Sequence, residues 1–217
     1  MNSKIKDILE WVYCIVIAIV IAILIKYFLC TPTIVQMDSM YPTLVQGDRL
    51  LLSRIPKTFH KEPKRFDIIT FEAPTSASYE TGDVDVSNPV AKYENEPTSW
   101  WKKFTYYVLE IGKKSYIKRV IGMPGDHVVI ADGKVYINDE PLDESAYLDK
   151  SVVTNVFGPY YDVWVPNDCV FVMGDHRSVS ADSRSFGCVP INKIESRVLF
   201  RFWPINKFGK IKKATLD

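Results

Sequence analysis

Hydrophobic positions along this chain follow two unlike patterns. From Trp11 to Ile25 the run WVYCIVIAIVIAILI is fifteen residues without a charge, and after Lys26 it resumes through Tyr27, Phe28, Leu29 and Cys30. A helix needs about twenty apolar residues to cross the hydrocarbon core. Residues 11–30 therefore read as a transmembrane anchor behind a short cytoplasmic N-terminus, residues 1–10. Lys26 sits near one end, where its stem can snorkel to the interface beside Tyr27. A cleaved signal peptide is the competing reading. The length of the run and the lack of a small-x-small site around Cys30-Thr31-Pro32-Thr33 count against it. Lys4 and Lys6 favour a cytoplasmic N-terminus, and Lys26 partly offsets that bias.

Beyond residue 33 the pattern changes to short β-type runs broken by turn residues. Asp67–Phe71, Tyr116–Ile121, His127–Ala131, Lys134–Asn138, Tyr161–Val165, Cys169–Met173 and Arg197–Trp203 read as strands. Asp132-Gly133 between two of them suits a type I′ hairpin turn. The expected fold is mainly β: an antiparallel sheet or partly closed barrel, residues 31–217, behind one transmembrane helix. An insertion at about 73–114 stands apart. Ala73 to Ser99 is rich in Ser, Thr, Pro, Glu and Asp and reads as a solvated loop. Trp100 to Leu109 crowds aromatics against lysines, which fits either a short helix packed on the β domain or a segment resting at the bilayer interface. Lys207, Lys210, Lys212 and Lys213 read as a solvated tail.

Composition narrows the function classes. With 27 Lys and Arg against 26 Asp and Glu, the formal charge is +1, so no nucleic-acid partner is expected. Three histidines, His60, His127 and His176, lie on separate segments without ligand spacing, so no metal or other cofactor is expected. Four cysteines, Cys14, Cys30, Cys169 and Cys188, are too scattered for a disulfide framework. Cys169 and Cys188 fit a bridge in an extracytoplasmic domain or two free buried thiols equally well.

Three segments could carry chemistry. One is Met37-Asp38-Ser39-Met40-Tyr41-Pro42-Thr43-Leu44, a serine in a Pro-stiffened turn soon after the anchor. The next runs from Tyr116 to Asp126 and holds Lys118 inside an apolar strand. The last runs from Gly174 to Gly187 and is dense in hydroxyls, carboxylates and arginines. A serine hydroxyl needs a base, and lysine serves only when neutral, which burial promotes by penalising the ammonium. Lys118, between Ile117 and Val120, has the local chemistry for such a shift, although a lone strand lysine is ordinarily edge-exposed. A Ser-His-Asp scheme through Asp175 and His176 is disfavoured, because chain neighbours rarely point at each other. The SxxK matches at Ser99–Lys102 and Ser115–Lys118 read as chance: the second lies on a strand, where residues three apart face opposite sides.

The three segments resemble the signature boxes of bacterial type I signal peptidases, membrane-anchored Ser/Lys proteases that remove signal peptides from exported proteins. The match is SMxPTL at Ser39–Leu44, KRxxGxPGD at Lys118–Asp126 and GDxRxxSxDSR at Gly174–Arg184, in order behind an anchor. The resemblance implies Ser39 as nucleophile, Lys118 as general base and Ser180 as the serine orienting the lysine. It implies that Asp175, Asp182 and Arg184 hold the site together by salt bridges, and that no cofactor takes part. It further implies an extended substrate with small side chains one and three residues before the cut, received by shallow pockets walled by Val35, Met40, Leu44, Tyr116 and Ile117. The implied partners are signal-peptide-bearing preproteins, membrane lipid and a nearby secretion translocon, at a bacterial plasma membrane with the catalytic domain outside.

Three positions depart from the family pattern. Met37 stands two residues before the serine, where glycine or a hydroxyl residue is common, and cannot donate to an oxyanion. His176 replaces a commoner asparagine, and Phe66 a usual glycine. Two other readings share some features. A self-cleaving repressor also uses a Ser/Lys dyad, but the anchor and the third box count against it. An anchored pseudoenzyme that binds preproteins without cutting them is motivated by Met37, and retention of Ser39, Lys118 and Ser180 argues against it.

Overall fold

The computed structural model describes residues 3–59, 61–75, 84–93 and 97–211. His60, Lys212, Lys213 and parts of the 73–99 loop fall outside them. Helix α1 (Ser3–Phe28) comes first, and over Lys6–Phe28 it is long and apolar enough to cross a membrane. Most of its Ile, Val and Leu side chains are exposed to the surroundings, an arrangement suited to lipid as solvent. The helix ends where other elements take up its last carbonyls. Thr31 Oγ1 donates to the Lys26 carbonyl at 2.9 Å, Thr58 Oγ1 to that of Phe28 at 3.1 Å, and the Arg54 amide to that of Leu29 at 2.9 Å.

The rest of the described chain is mainly antiparallel β. Its strands are β1 (Cys30–Ile34), β2 (Arg49–Ser53), β3 (Ile68–Glu72), β4 (Ser115–Gly122), β5 (His127–Ala131), β6 (Lys134–Ile137), β7 (Glu140–Pro141), β8 (Asp162–Trp164), β9 (Cys169–Met173), β10 (Val189–Pro190) and β11 (Ile194–Trp203). Short helices α2 (Ile55–Thr58), α3 (Trp100–Tyr107) and α4 (Ser183–Phe186) punctuate them. One sheet runs β1-β2-β11-β3-β4-β9-β10 and a second runs β7-β6-β5-β8. Register irregularities along β11 against β2 and β3 bend this long strand. The β5–β6 hairpin turns on Asp132 and Gly133 at φ 50° and 74°, as a type I′ turn demands. Asn138 and Asp139, at φ 52° and 69°, make a second left-handed pair before β7.

Three apolar clusters fill the interior. Phe66, Ile121, Val128, Tyr147, Val163 and Phe171 pack between the sheets. Ile69, Phe71, Val120, Val172 and Phe186 form another cluster. Val35, Met40, Leu44, Leu50, Leu52, Ile68 and Val198 form the third, beside the loop that carries Ser39. Phe66 sits at φ 66°, in the left-handed region where glycine is unstrained, and its ring is fully buried against Tyr147. Burial of a phenylalanine, about 3 kcal/mol, exceeds the roughly 1 kcal/mol backbone cost. That balance accounts for a large side chain in a position suited to glycine.

The solvated-loop reading of Ala73 to Ser99 needs correction. Val90 bridges Cys188, the Ala91 amide donates to the Cys188 carbonyl at 2.8 Å, and Ala91 is buried. Four apolar residues (Val84, Val90, Ala91, Tyr93) among polar ones let this segment seal an edge of the core. In contrast, α3 buries none of its side chains, and Trp100 and Trp101 are both about two-thirds exposed, at 67% and 66%. Its second half does meet the β domain, where Tyr106–Leu109 are half-buried and the Tyr106 hydroxyl donates to Glu72 at 3.1 Å.

Candidate active site

Ser39 and Lys118 reach each other from different parts of the chain. Ser39 lies in the loop between β1 and β2, which is closed by hydrogen bonds from the Val35 amide to the Asp48 carbonyl and from the Gly47 amide to the Val35 carbonyl, both 2.9 Å. Two of the loop's apolar residues, Met40 and Leu44, drop into the third cluster and pin it down. Lys118 extends from β4, whose neighbours β3 and β9 hold it in register. Its Nζ lies 2.7 Å from Ser39 Oγ, and the two residues are 2% and 6% exposed. Burial lowers the lysine pKa to about 8, against the raising influence of Asp182 and Asp175 and with help from Arg184. A neutral amine at this distance can accept the serine proton.

Strand alternation sends the next residue, Arg119, to the other face of β4. There it grips Asp175 through Nε–Oδ1 at 2.9 Å and Nη2–Oδ2 at 2.6 Å, with its guanidinium 3.9 Å from the centre of the Tyr147 ring. Thr43 Oγ1 donates to the same carboxylate. Arg184 grips Asp182 in the same two-pronged way, both bonds 2.8 Å, and Asp182 Oδ2 also accepts from the Gly174 amide at 3.0 Å. Arg177 adds a third buried guanidinium, bonded to Glu144, Thr154 Oγ1 and the Gly174 carbonyl. The first pair ties the Gly174–Arg184 loop to β4, the Arg177–Glu144 pair ties it to the segment after β7, and the Arg184–Asp182 pair braces it internally. The loop in turn holds Ser39, because the His176 amide donates to the Ser39 carbonyl at 3.1 Å.

Gly174 is needed for that approach, since a Cβ there would overlap Ser180 Oγ and the Ser39 carbonyl. Ser180 is fully buried, yet its Oγ has no hydrogen-bond partner in this arrangement. Asp175 is turned onto Arg119, and His176 Nδ1 lies 3.1 Å from the Asp38 carbonyl, so the two do not form a serine-protease triad. Ser115 bonds Glu195 at 2.7 Å instead of approaching Lys118.

A cleft of about 310 Å³ opens beside the Ser39–Lys118 pair. Val35, Tyr116 and Ile117 line it, and so does Met37, which is largely exposed. Met40 and Leu44, expected as walls, are fully buried and do not line the cleft. They shape it only from behind, because the turn points them into the core with Val35 and Ile117. At its other end the cleft is charged, lined by Arg54, Glu110, Lys113 and Glu195. Glu110 there pairs with both Arg54 and Lys26 of α1. Arg119, Thr43, Arg177 and Glu144 were not singled out from sequence. Arg119, Thr43 and Arg177 each had a signal, as fixed positions of the three boxes, and Glu144 had none.

The chain matches the family described as signal peptidase, peptidase S26, over residues 8–203. It belongs to that family. Among its relatives, a probable signal peptidase I-1 of Synechocystis is 33% identical over 92% of this chain and 84% of its own length. Signal peptidase IB of Staphylococcus aureus is 30% identical over 94% of this chain and 93% of its own. A crystal structure of a signal peptidase I from Enterococcus faecalis has 25% identity, 63% coverage of this chain, 97% of its own, and a TM-score of 0.37. The signal peptidase family places this chain among membrane-anchored serine peptidases that remove signal peptides, and α1 fits the anchor. The self-cleaving repressor reading falls with that result. Cys169 and Cys188 are free, buried thiols in the core, the first pushed up to about 12 by burial and by Asp168 and the second well above its ordinary value. Both are therefore poor nucleophiles.

Proposed function

We propose that Ser39 is the nucleophile and uncharged Lys118 the general base of this signal peptidase. The observation that carries this reading is the 2.7 Å contact between a buried lysine amine and a buried serine hydroxyl at the wall of a cleft. The preprotein enters as an extended strand along β4, with small side chains one and three residues before the cut seated against Val35, Tyr116 and Ile117. Apolar walls reject a charged side chain by its desolvation cost and a large one by clash.

Ser39 Oγ attacks the scissile carbonyl carbon while its proton passes to Lys118 Nζ. The resulting ammonium then gives that proton to the leaving amine as the C–N bond breaks, releasing the mature protein and leaving the signal peptide esterified to Ser39. Water attacks this ester, Lys118 takes its proton, and return of the proton to Ser39 Oγ frees the signal peptide as a carboxylate. Ser180, buried beside Gly174 with its Oγ unpaired, is the group available to orient the lysine by a hydrogen bond. Asp175, Asp182 and Arg184 act as positioning residues through the ion pairs described above. The Ser39 amide donates to the oxyanion, with no help from the Met37 side chain.

The N-terminus lies in the cytoplasm and the catalytic domain outside a bacterial plasma membrane, near the secretion translocon. Trp100, Trp101 and Phe104 rest at the lipid interface. A single-turnover assay on a signal-peptide substrate tests the chemistry. Ser39→Ala and Lys118→Ala each abolish cleavage while the fold persists, and full activity in Lys118→Ala would overturn the dyad. Met37, which lines the cleft without a side-chain donor, favours a second reading, an anchored binder of preproteins. In the same assay that reading predicts binding by the wild type without a cut.

A further inference from the structure

A second and larger cavity, of about 860 Å³, shares no lining residue with the catalytic cleft. Its size is that of a small-molecule site. Its walls divide by chemistry. Ile55, Pro56, Pro63 and Leu199 supply apolar surface, and Ile55 and Leu199 are exposed. Lys57, Lys61 and Lys64 supply three exposed cations from α2 and the segment after it, none in an ion pair among the described residues. The fourth cation, Arg197, is held by Asp67 at 3.3 Å. Two further carboxylates line the cavity, Glu62 between the lysines and Asp168 on the separate loop before β9.

Position says what could fill such a space. The α2 wall is hydrogen-bonded to the end of the membrane helix, through Thr58 Oγ1 to the Phe28 carbonyl at 3.1 Å and the Arg54 amide to the Leu29 carbonyl at 2.9 Å. A helix that spans the bilayer ends at the headgroups, so Lys57, next to Thr58, stands at headgroup level, with Lys61, whose amide donates to the Pro56 carbonyl at 2.8 Å, and then Lys64 following along the chain. Apolar surface exposed there, with cations on its rim, is suited to acyl chain and phosphate together. We propose that this cavity is a seat for an anionic phospholipid of the surrounding bilayer, its phosphate held by Lys57, Lys61 and Lys64 and an acyl chain laid against Ile55 and Leu199. The site secures the catalytic domain against the membrane independently of the Ser39–Lys118 chemistry.

The test uses the full-length protein, extracted in mild detergent from vesicles of phosphatidylcholine with phosphatidylglycerol, and native mass spectrometry to count retained lipid. Wild type retains one phosphatidylglycerol. K57Q/K61Q/K64Q weakens retention by on the order of a hundredfold, K57R/K61R/K64R restores it, and L199D removes it by blocking the acyl path. Cleavage of a soluble peptide in detergent stays unchanged in all of them, which shows that each variant is folded. Retention by the glutamine variant equal to wild type overturns the proposal. Retention by L199D reduces the site to surface charge and also overturns it, as does displacement of the lipid by inorganic phosphate alone.

Discussion

Arg119 and Asp175 are joined by two parallel hydrogen bonds of 2.9 and 2.6 Å with both residues out of solvent, one position along the strand from Lys118. The Asp175 backbone leads directly into the His176 amide that holds the Ser39 carbonyl, so this pair links the strand of Lys118 to the Ser39 loop. Removing one charge leaves the other buried and unpaired, at a cost of about 3–5 kcal/mol. Asp175→Asn is therefore expected to lower the thermal midpoint by many degrees and kcat with it, read by calorimetry and by a cleavage assay.

The proposed dyad requires neutral Lys118, and its pKa stands at about 8 instead of 10.5. Activity is then expected to fall tenfold per pH unit below about 8 and to level off above it. Stability has the same sign. The unfolded chain binds the lysine proton up to about 10.5 and the folded chain only up to about 8, so the stabilising contribution rises with pH across that window. A kcat/KM profile checks the first statement and denaturant melts across the window the second.

Gly174 has no room for a methyl group between Ser180 Oγ and the Ser39 carbonyl. Gly174→Ala is expected to displace the nucleophile and reduce kcat by about a hundredfold or more, the scale of small misplacements in an active site. An unchanged kcat would mean that the loop gives way freely.

Met37 lines the cleft and brings no side-chain donor. Met37→Ser is expected to raise kcat by about tenfold by adding a hydroxyl toward the oxyanion, a part of what one such donor is worth where it is native. Steady-state kinetics on one peptide decides it.

Trp100, Trp101 and Phe104 lie together on α3 with their rings in mutual contact, the two tryptophans largely exposed and Phe104 about one-third exposed. Replacing all three with Ser in an anchor-free form is expected to weaken binding to liposomes several-fold, since aromatic side chains favour the interface. Flotation assays that show equal binding would remove α3 from the membrane.

The anchor and seven of the strands could be read from the residues alone, because long apolar runs and alternation are local signals, while the Ser39–Lys118 pairing followed from the family resemblance of the three boxes. Strands β1 and β2 escaped that reading. CTPTI carries a proline and RLLLS lacks alternation, so each becomes a strand only through its partner. Residues 84–93 escaped it as well, since their few apolar side chains acquire meaning only against Cys188 and the core behind it.

Residue identity determined that this chain has an anchor, a β domain and a serine and a lysine suited to each other. Tertiary structure decided what those residues experience. Lys118 is weakly basic because β3, β9 and the Gly174–Arg184 loop withdraw it from water, and desolvation is a property of the folded surroundings. Met40 and Leu44 turned from expected pocket walls into buried supports, because the turn that presents Ser39 outward directs its neighbours into the core. Arg119 pairs with Asp175 because one step along a strand reverses the face, so the residue beside Lys118 braces the loop that contacts Ser39.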